Sequence, residues 1–502
     1  MPKFYITTAI PYVNAPPHIG YAMEAIQQDV VARYHRLKGD EVFSLRGTDE
    51  HGMKLVQSAK EQGLTPQALA DQNAAKFQAL KDILNLSDDG FIRTTSDNHK
   101  KAVQKLWMKL FDAGDIYKDS YEGLYCLGCE AFVTETDLVD GNCPNHKKPP
   151  EKLKEENYFF RLSKYNDTIR DLIQSGTLRV VPESRKHEIL SLLKEGLKDV
   201  SFSRPKKILQ WGIDVPNDPE QVMYVWCDAL SNYITAIGYL DETEQFKKFW
   251  PADVHLVGKD ILRFHAAIWI GMQLSAGLPV SKAVYVHGFI TSEGTKMSKS
   301  LNNIVAPLEY VEKYGVDALR YYLMKEIPTT ADGDFSKQRF QVVYDSELAD
   351  TIGNLVSRVL AMTHKYFDGK VPAGTALEPV GKKNGELWKS YQEAIDAFDL
   401  KRALEVVVEF ASEANKLVET EKPWVLVKKD QKRLADVLYT LLEMIRQFGV
   451  LLLPFIPTTA GEILDYLAID AAKVLFAEHQ KIGVLKTGIS LQKAEPLFPK
   501  IM

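Results

Sequence analysis

A chain of 502 residues, 45% hydrophobic and 26% charged, is long enough for two to four domains whose cores need no cross-links. A formal net charge of -5 and a pI near 6.2 exclude a generally basic field, so a nucleic-acid partner must be met by local patches. Four cysteines make no disulfide framework, and the longest strongly apolar run, "FGVLLLPFI" around residue 450, is far too short to span a bilayer. The opening "MPKFYITTAIPY" has one lysine and an apolar run broken by Pro11, too poor for a secretion signal, so a cytoplasmic protein without membrane contact is expected.

In chain order, "KFYITTAI" reads as a strand, and "HIGYAMEAIQQDVVARYHRLKG" as a helix stopped by Gly39. "EVFSLRG" reads as a second strand with "TDEHG" as the loop leaving it. A helix follows, with Val103, Leu106, Trp107, Leu110 and Phe111 on one apolar face. Strand–helix–strand order predicts an α/β fold with a Rossmann-type parallel sheet. From about Tyr117 to Val225 the text becomes aromatic-rich, with short strands and three of the four cysteines. Then the α/β rhythm returns: "DVHLVGKD" and "AVYVHGFIT" read as strands flanking the helix "ILRFHAAIWIGMQLSAG". After Thr330 the loop "ADGDFS" precedes an almost purely helical region to about residue 470.

Three constellations carry chemistry. Cys126-x2-Cys129 and Cys143-x2-His146 form two knuckles able to close a tetrahedral structural Zn²⁺ site, one ion per chain, with no open position; the alternative is scattered thiols. In "PPHIGY", His18 and Gly20 open a helix whose N-terminal N–H groups suit phosphate. The same residues also read as a capping histidine beside a packing glycine. In "HGFITSEGTKMSKS", Lys296, Ser298 and Lys299 follow a late strand. This is no P-loop, because five residues instead of four separate Gly288 from Gly294, and Thr295 stands where the lysine should be. The loop is either solvated decoration or a side-chain grip on phosphate, with Gly294 lending it freedom to close. Two phosphate-attracting elements in one split domain imply a nucleotide between the halves of the sheet.

"HIGY" followed by "KMSKS" resembles the paired signatures of class I aminoacyl-tRNA synthetases. "GTDEHG", "WGIDVP", "VWCDALSNYI" and "GKDILRFHAAIW" resemble, in order, the methionyl-tRNA synthetase family, and the likeness runs to the ending "LFPKI". The family's usual second histidine in the first signature is Tyr21 here, which leaves His18 as the ligand that carries over. The resemblance implies an enzyme that activates L-methionine with ATP and passes it to the terminal ribose of tRNA(Met). It implies a catalytic domain in two halves (1–116 and 226–300) around a connective zinc-knuckle insertion (117–225). A linker contacting the tRNA stem (301–350) and a helical-bundle anticodon-binding domain (351–502) complete the chain.

It further implies site residues. ATP, with Mg²⁺, would lie against His18, Gly20, Gly258, Asp260 and His287, with Lys299 and Lys296 on the phosphates; Asp260 alternatively reads as a helix N-cap. Methionine would be held by Ile10, Tyr12, Asp49, Trp226, Ala229, Leu230, Tyr233, His265 and Ile268. Asp49 would pair with its ammonium group, and the aromatic positions equally suit a plain core. Asn354, Arg358 and Trp424 would read the anticodon, the tryptophan by stacking. Basic clusters at Ser203–Lys207 and Lys428–Arg433 either touch phosphate or are solvated faces. The large editing domain of the leucyl-, isoleucyl- and valyl-type relatives has no room here, and a monomer is expected.

Overall fold

The computed structural model describes residues 2–126, 131–133, 135–144, 147–297 and 303–501. Six strands build one parallel sheet: β1 (Lys3–Thr8), β2 (Glu41–Thr48), β3 (Gly90–Arg93), β4 (Arg179–Val181), β5 (Val254–Gly258) and β6 (Ala283–His287). Their spatial order is β3-β2-β1-β5-β6-β4. The chain leaves β1 toward β2 and β3 on one side and returns as β5 and β6 on the other. The boundary between β1 and β5 is therefore the topological switch point, where such sheets open a crevice at the strand C-termini.

The period of two in β1 sends Phe4 and Ile6 to one face and Tyr5 to the other. The first face packs on α1 (Ile19–Leu37), and its core continues without a break into the C-terminal helices. The second packs on α2 (Asp97–Asp112) and on the segment that begins with the short helix α3 (Val225–Leu230). Four residues of the α2 apolar face are buried, but Phe111, at the stripe's edge, is 45% exposed.

Other expectations need correcting. "AVYVHGFIT" is not one strand, because a Cβ on Gly288 would sit 2.2 Å from the Ala331 carbonyl carbon and the chain turns there. β7 (Ile290–Ser292) starts afresh, antiparallel to β8 (Thr295–Lys296) and parallel to β9 (Gly333–Phe335), so "ADGDFS" contains a strand. "ILRFHAAIWIGMQLSAG" is not a uniform α-helix either. Its residues Phe264–Trp269 form a π-helical turn, a widening common where side chains must be re-aimed at a site. Strand β4 lies within 117–225 yet completes the catalytic sheet beside β6, so that segment lends an edge strand to its host. The same segment holds a four-stranded antiparallel sheet built on the long pair Ile116–Cys126 and Glu151–Phe160, and a separate three-stranded one made of Ser203–Pro205, Asp214–Val215 and Asp218–Met223.

The C-terminal region contains α4 (Val316–Lys325), α5 (Asn354–Phe367), α6 (Leu400–Glu421), α7 (Pro423–Lys429) and α8 (Gln431–Leu452). Asp399 and Asp430 cap α6 and α8 by accepting the N–H groups of Arg402 and Arg433. Lys422, left-handed at φ 47°, ends α6, and Pro423 opens α7. One buried guanidinium joins the catalytic and helical regions. Arg320 of α4 donates to Asp29 of α1 at 2.6 Å, to the Leu84 carbonyl, and to the carbonyls of Pro454 and Phe455 beyond α8. Among the described residues no helix is long and apolar enough to cross a membrane.

Candidate active site

The polar end of the candidate site is built where β1 delivers the chain to α1. His18 has extended backbone, and its Nδ1 accepts the Gly20 N–H at 3.0 Å. The ring reaches solvent, but surrounding protein crowds it enough to lower its pKa from the ordinary 6.5. A neutral ring with Nδ1 accepting carries its proton on Nε2, a donor for an anionic oxygen. Gly20 has no room for a side chain, since a Cβ would sit 2.9 Å from His18 Cε1 and 3.3 Å from Ile290 Cγ2. Capping histidine and packing glycine are thus both real features, and they fix the ring at the helix start. Tyr21 points away into the core, edge-on to Phe77 at 4.9 Å, with burial pushing its hydroxyl up to about 12.

Across the switch point Gly258 and His287 are register partners on β5 and β6. A Cβ on Gly258 would lie 2.9 Å from Asp260 Oδ1 and 3.8 Å from His287 Cε1, so these residues make one cluster. Asp260 is exposed and is not a cap; the cap position of its helical turn is Gly258. Glu24 of α1 joins them. His287 Nε2 donates to Glu24 Oε2 at 2.7 Å and Nδ1 to the Gly288 carbonyl at 2.8 Å. Acceptors on both ring nitrogens call for the imidazolium, and although burial opposes it, Glu24 raises the His287 pKa. Burial outweighs the imidazolium's pull on Glu24 itself, whose pKa is also raised.

The apolar end lies beside it. Tyr12 and Asp49 form a parallel bridge between the loops leaving β1 and β2, and the Asp49 N–H donates to the Pro11 carbonyl at 2.9 Å. Asp49 is 4% exposed. Trp226 stacks on Phe264 at 3.8 Å and meets the His265 ring edge-on. The Tyr233 hydroxyl donates to His265 Nε2 at 2.7 Å, while His265 Nδ1 donates to the Ile261 carbonyl at 3.0 Å. Burial pushes the His265 pKa down to about 4, so the ring is neutral at pH 7. Ala229 and Leu230 on α3 and Ile268 on the π-helical turn are buried, and Ile10 is half-buried. Sequence reasoning missed Glu24 and Phe264. Phe264 had a signal, since it is the π-turn neighbour of His265, whereas nothing marks Glu24 among ordinary helix residues.

The "KMSKS" loop begins as a β7–β8 hairpin. Glu293 (φ 50°) and Gly294 (φ 75°) form its turn, and the Gly294 N–H donates to Asp334 Oδ1 at 2.8 Å. Gly294 therefore supplies the left-handed conformation of a tight hairpin. Lys296 ends β8; Ser298 and Lys299 lie outside the described residues. Where the described chain resumes, the Val305 carbonyl accepts the Ile19 N–H at 3.1 Å at the start of α1.

Cys129 and His146 also lie outside the described residues. Cys126 ends its strand and Cys143 sits in a tight turn, accepting from the Lys147 N–H at 2.7 Å and donating to the Lys148 carbonyl at 2.9 Å. Both are buried. Among the described residues no group of three or more His, Cys, Asp or Glu side chains is arranged to hold a metal ion. In the helical region Asn354 is exposed at the start of α5, Arg358 donates to Glu419 near the end of α6, and Trp424 is 40% exposed on α7. The basic cluster at 203–207 needs correcting. Arg204 is buried, bonded to Ser201 and Ser203 and lying over the rings of Tyr125 and Tyr224, so it presents no charge to phosphate. Arg433 is paired with Glu421.

A parallel sheet with a histidine-led helix at its switch point, a "KMSKS" segment after its late strand β6 and a helical region behind defines a class I tRNA synthetase. The family model for class I (M) tRNA synthetases matches residues 4–149 and 145–360, and the model for the anticodon-binding domain of methionyl tRNA ligase matches 372–502. The methionine–tRNA ligase of Caldanaerobacter subterraneus subsp. tengcongensis is 45% identical over 505 residues, covering 99% of this chain and 79% of that one. That of Rhizobium meliloti is 44% identical over 506 residues, with 99% and 98% covered. The structure of Mycobacterium tuberculosis methionyl-tRNA synthetase in complex with methionyl-adenylate superimposes with a TM-score of 0.95 at 39% identity, covering all of both chains. The chain belongs to the methionyl-tRNA synthetase family.

Proposed function

We propose that this chain is a methionine–tRNA ligase that makes methionyl-adenylate from methionine and ATP and then charges tRNA(Met). The observation that carries the reading is the junction of two unlike half-sites at one switch point. One is polar, with His18, Gly258, Asp260 and His287; the other is apolar, with Asp49 at one end and Trp226, Tyr233 and His265 at the other.

In activation a methionine carboxylate oxygen forms a bond to the α-phosphorus as the bond to pyrophosphate breaks. The nucleophile is already an anion and no proton leaves it, so placement and charge stabilisation are what the site must supply. His18 Nε2–H donates to a phosphoryl oxygen, the glycines admit the nucleoside against backbone, and Lys296 and Lys299 meet the β- and γ-phosphates. Mg²⁺ bound with ATP supplies further neutralisation of phosphate charge. Asp49 takes the α-ammonium group. The neutral Tyr233–His265 pair offers the thioether a polarizable aromatic wall without a charge to desolvate it. In the second step the terminal ribose hydroxyl of tRNA attacks the acyl carbon and AMP leaves. Asn354, Arg358 and Trp424 read the anticodon.

Cys126, Cys129, Cys143 and His146 would hold one structural Zn²⁺; the tight turn at Cys143 and the burial of both described cysteines suit that role. Metal analysis should find about one zinc per chain, and a folded protein with none would refute the site. We read the protein as a cytoplasmic monomer. The test of function is ATP–pyrophosphate exchange across the twenty amino acids. Methionine should drive it, and exchange with leucine or valine but not methionine would sink the reading.

A further inference from the structure

Two residues beyond Asp49, His51 turns inward, and its Nδ1 lies 2.6 Å from Asp228 Oδ2. The other oxygen, Asp228 Oδ1, lies 2.7 Å from His99 Nε2, and His99 Nδ1 lies 2.7 Å from Thr235 Oγ1. His51, Asp228 and His99 are 2%, 1% and 0% exposed. Burial would raise a lone carboxyl's pKa, but the two imidazoles reverse this and hold Asp228 at about 2, an anion. Each ring presents an N–H to the carboxylate, and the second nitrogen of His99 is held by the Thr235 hydroxyl.

The three elements joined here are not otherwise adjacent in the chain. The 49–52 loop is tied to the sheet edge: the Glu50 N–H donates to Thr94 Oγ1 at 2.9 Å, and Trp211 Nε1 donates to the Glu50 carbonyl at 2.6 Å. His99 belongs to α2 and is fully buried. α3 has only six residues and no side-chain cap, yet it carries Trp226, Ala229 and Leu230. A helix so short takes its position from tertiary contacts. Asp228 is the side chain through which it is bonded to both neighbours.

We propose that Asp228 is a positioning residue for methionine: its carboxylate, gripped by His51 and His99, sets α3 against the Asp49 loop. It thereby fixes the distance between the group that takes the ammonium and the wall that meets the thioether chain. This rests on the pocket assignment under Proposed function. A carboxylate with both oxygens in charge-assisted bonds loses geometry when either bond is lost, as supporting groups around a ligand-binding side chain generally do.

The test is exchange kinetics on the full chain, with Tm measured to check folding. Asp228→Asn leaves the shape but gives an N–H₂ facing an imidazole N–H; His99→Ala removes one grip; His99→Gln keeps an N–H donor. Asp228→Asn and His99→Ala should raise the methionine KM about tenfold while the ATP KM stays within about twofold. His99→Gln should recover most of the loss. A merely structural role would lower Tm and leave both KM values alone, or move them together; either result in folded variants overturns the proposal. If Asp228→Asn does not fold, the His99 pair decides. Asp49→Asn separates the two levels. If it leaves the methionine KM unchanged, the pocket assignment falls and this proposal with it. If it raises that KM and the other variants do not, the clamp alone falls.

Discussion

The two half-sites at the switch point solve opposite electrostatic problems with the same residue type. In the half assigned to the nucleotide, His287 has acceptors on both nitrogens, and Glu24 raises its pKa. In the half assigned to the amino acid, His265 donates from one nitrogen and accepts on the other, and burial holds it neutral. Histidine chemistry is thus set by what stands at its two nitrogens, not by the residue. A cleft that seats a polyanion beside an apolar thioether uses both settings, on two segments of one sheet domain.

The contrast can be broken at its charged end first. Lys299→Ala should lower the exchange rate by about 10²-fold or more, the scale of other lost charge-stabilising groups, without raising the methionine KM. Near-normal exchange would remove Lys299 from the mechanism. Gly20→Ala should follow, with about a tenfold lower rate, because the new methyl would push on the His18 ring and Ile290. A change in methionine KM but not in rate would place Gly20 in the wrong half.

The smallest effect is the sharpest test, read as stability against pH. His265 titrates lower folded than unfolded, so in the window from 6.5 down to about 4 the unfolded chain binds the extra proton. Its contribution is full above 6.5 and declines on acidification, by about 1 kcal/mol between pH 6.5 and 5.5. His287 titrates higher folded than unfolded. Its contribution is full below 6.5 and declines as the pH rises through the raised value. Tm profiles should therefore flatten on the acid side in His265→Gln and on the alkaline side in His287→Gln. Flattening on the same side in both would refute the contrast.

What could be read from sequence was what is local. Period-two strands, the His18 helix start and the alternation of strand and helix are visible in short windows, and so were the main sheet and the helical tail. What could not be read depends on distant partners or on space. Asp228 meets His51 across 177 positions and His99 across 129, and Glu24 meets His287 across 263. Gly288 looks like any strand glycine until the Ala331 carbonyl fills the place of its Cβ. Arg204 looked available to phosphate because a run of basic residues does not reveal that one of them faces inward. The left-handed turn at Gly294 could not be read because such a turn and a flexible hinge favour the same residue.

Arg320 makes α1 a lever. From His18 at its tip to Asp29 is eleven residues, about 16 Å of helix, and at Asp29 the rod is bolted by one guanidinium to the carbonyls of Pro454 and Phe455. If the helical body rotates, it must either strand a buried cation or carry the rod with it. A small angular change at the bolt would then be delivered to the tip as a displacement, in the very place where the Val305 carbonyl meets Ile19.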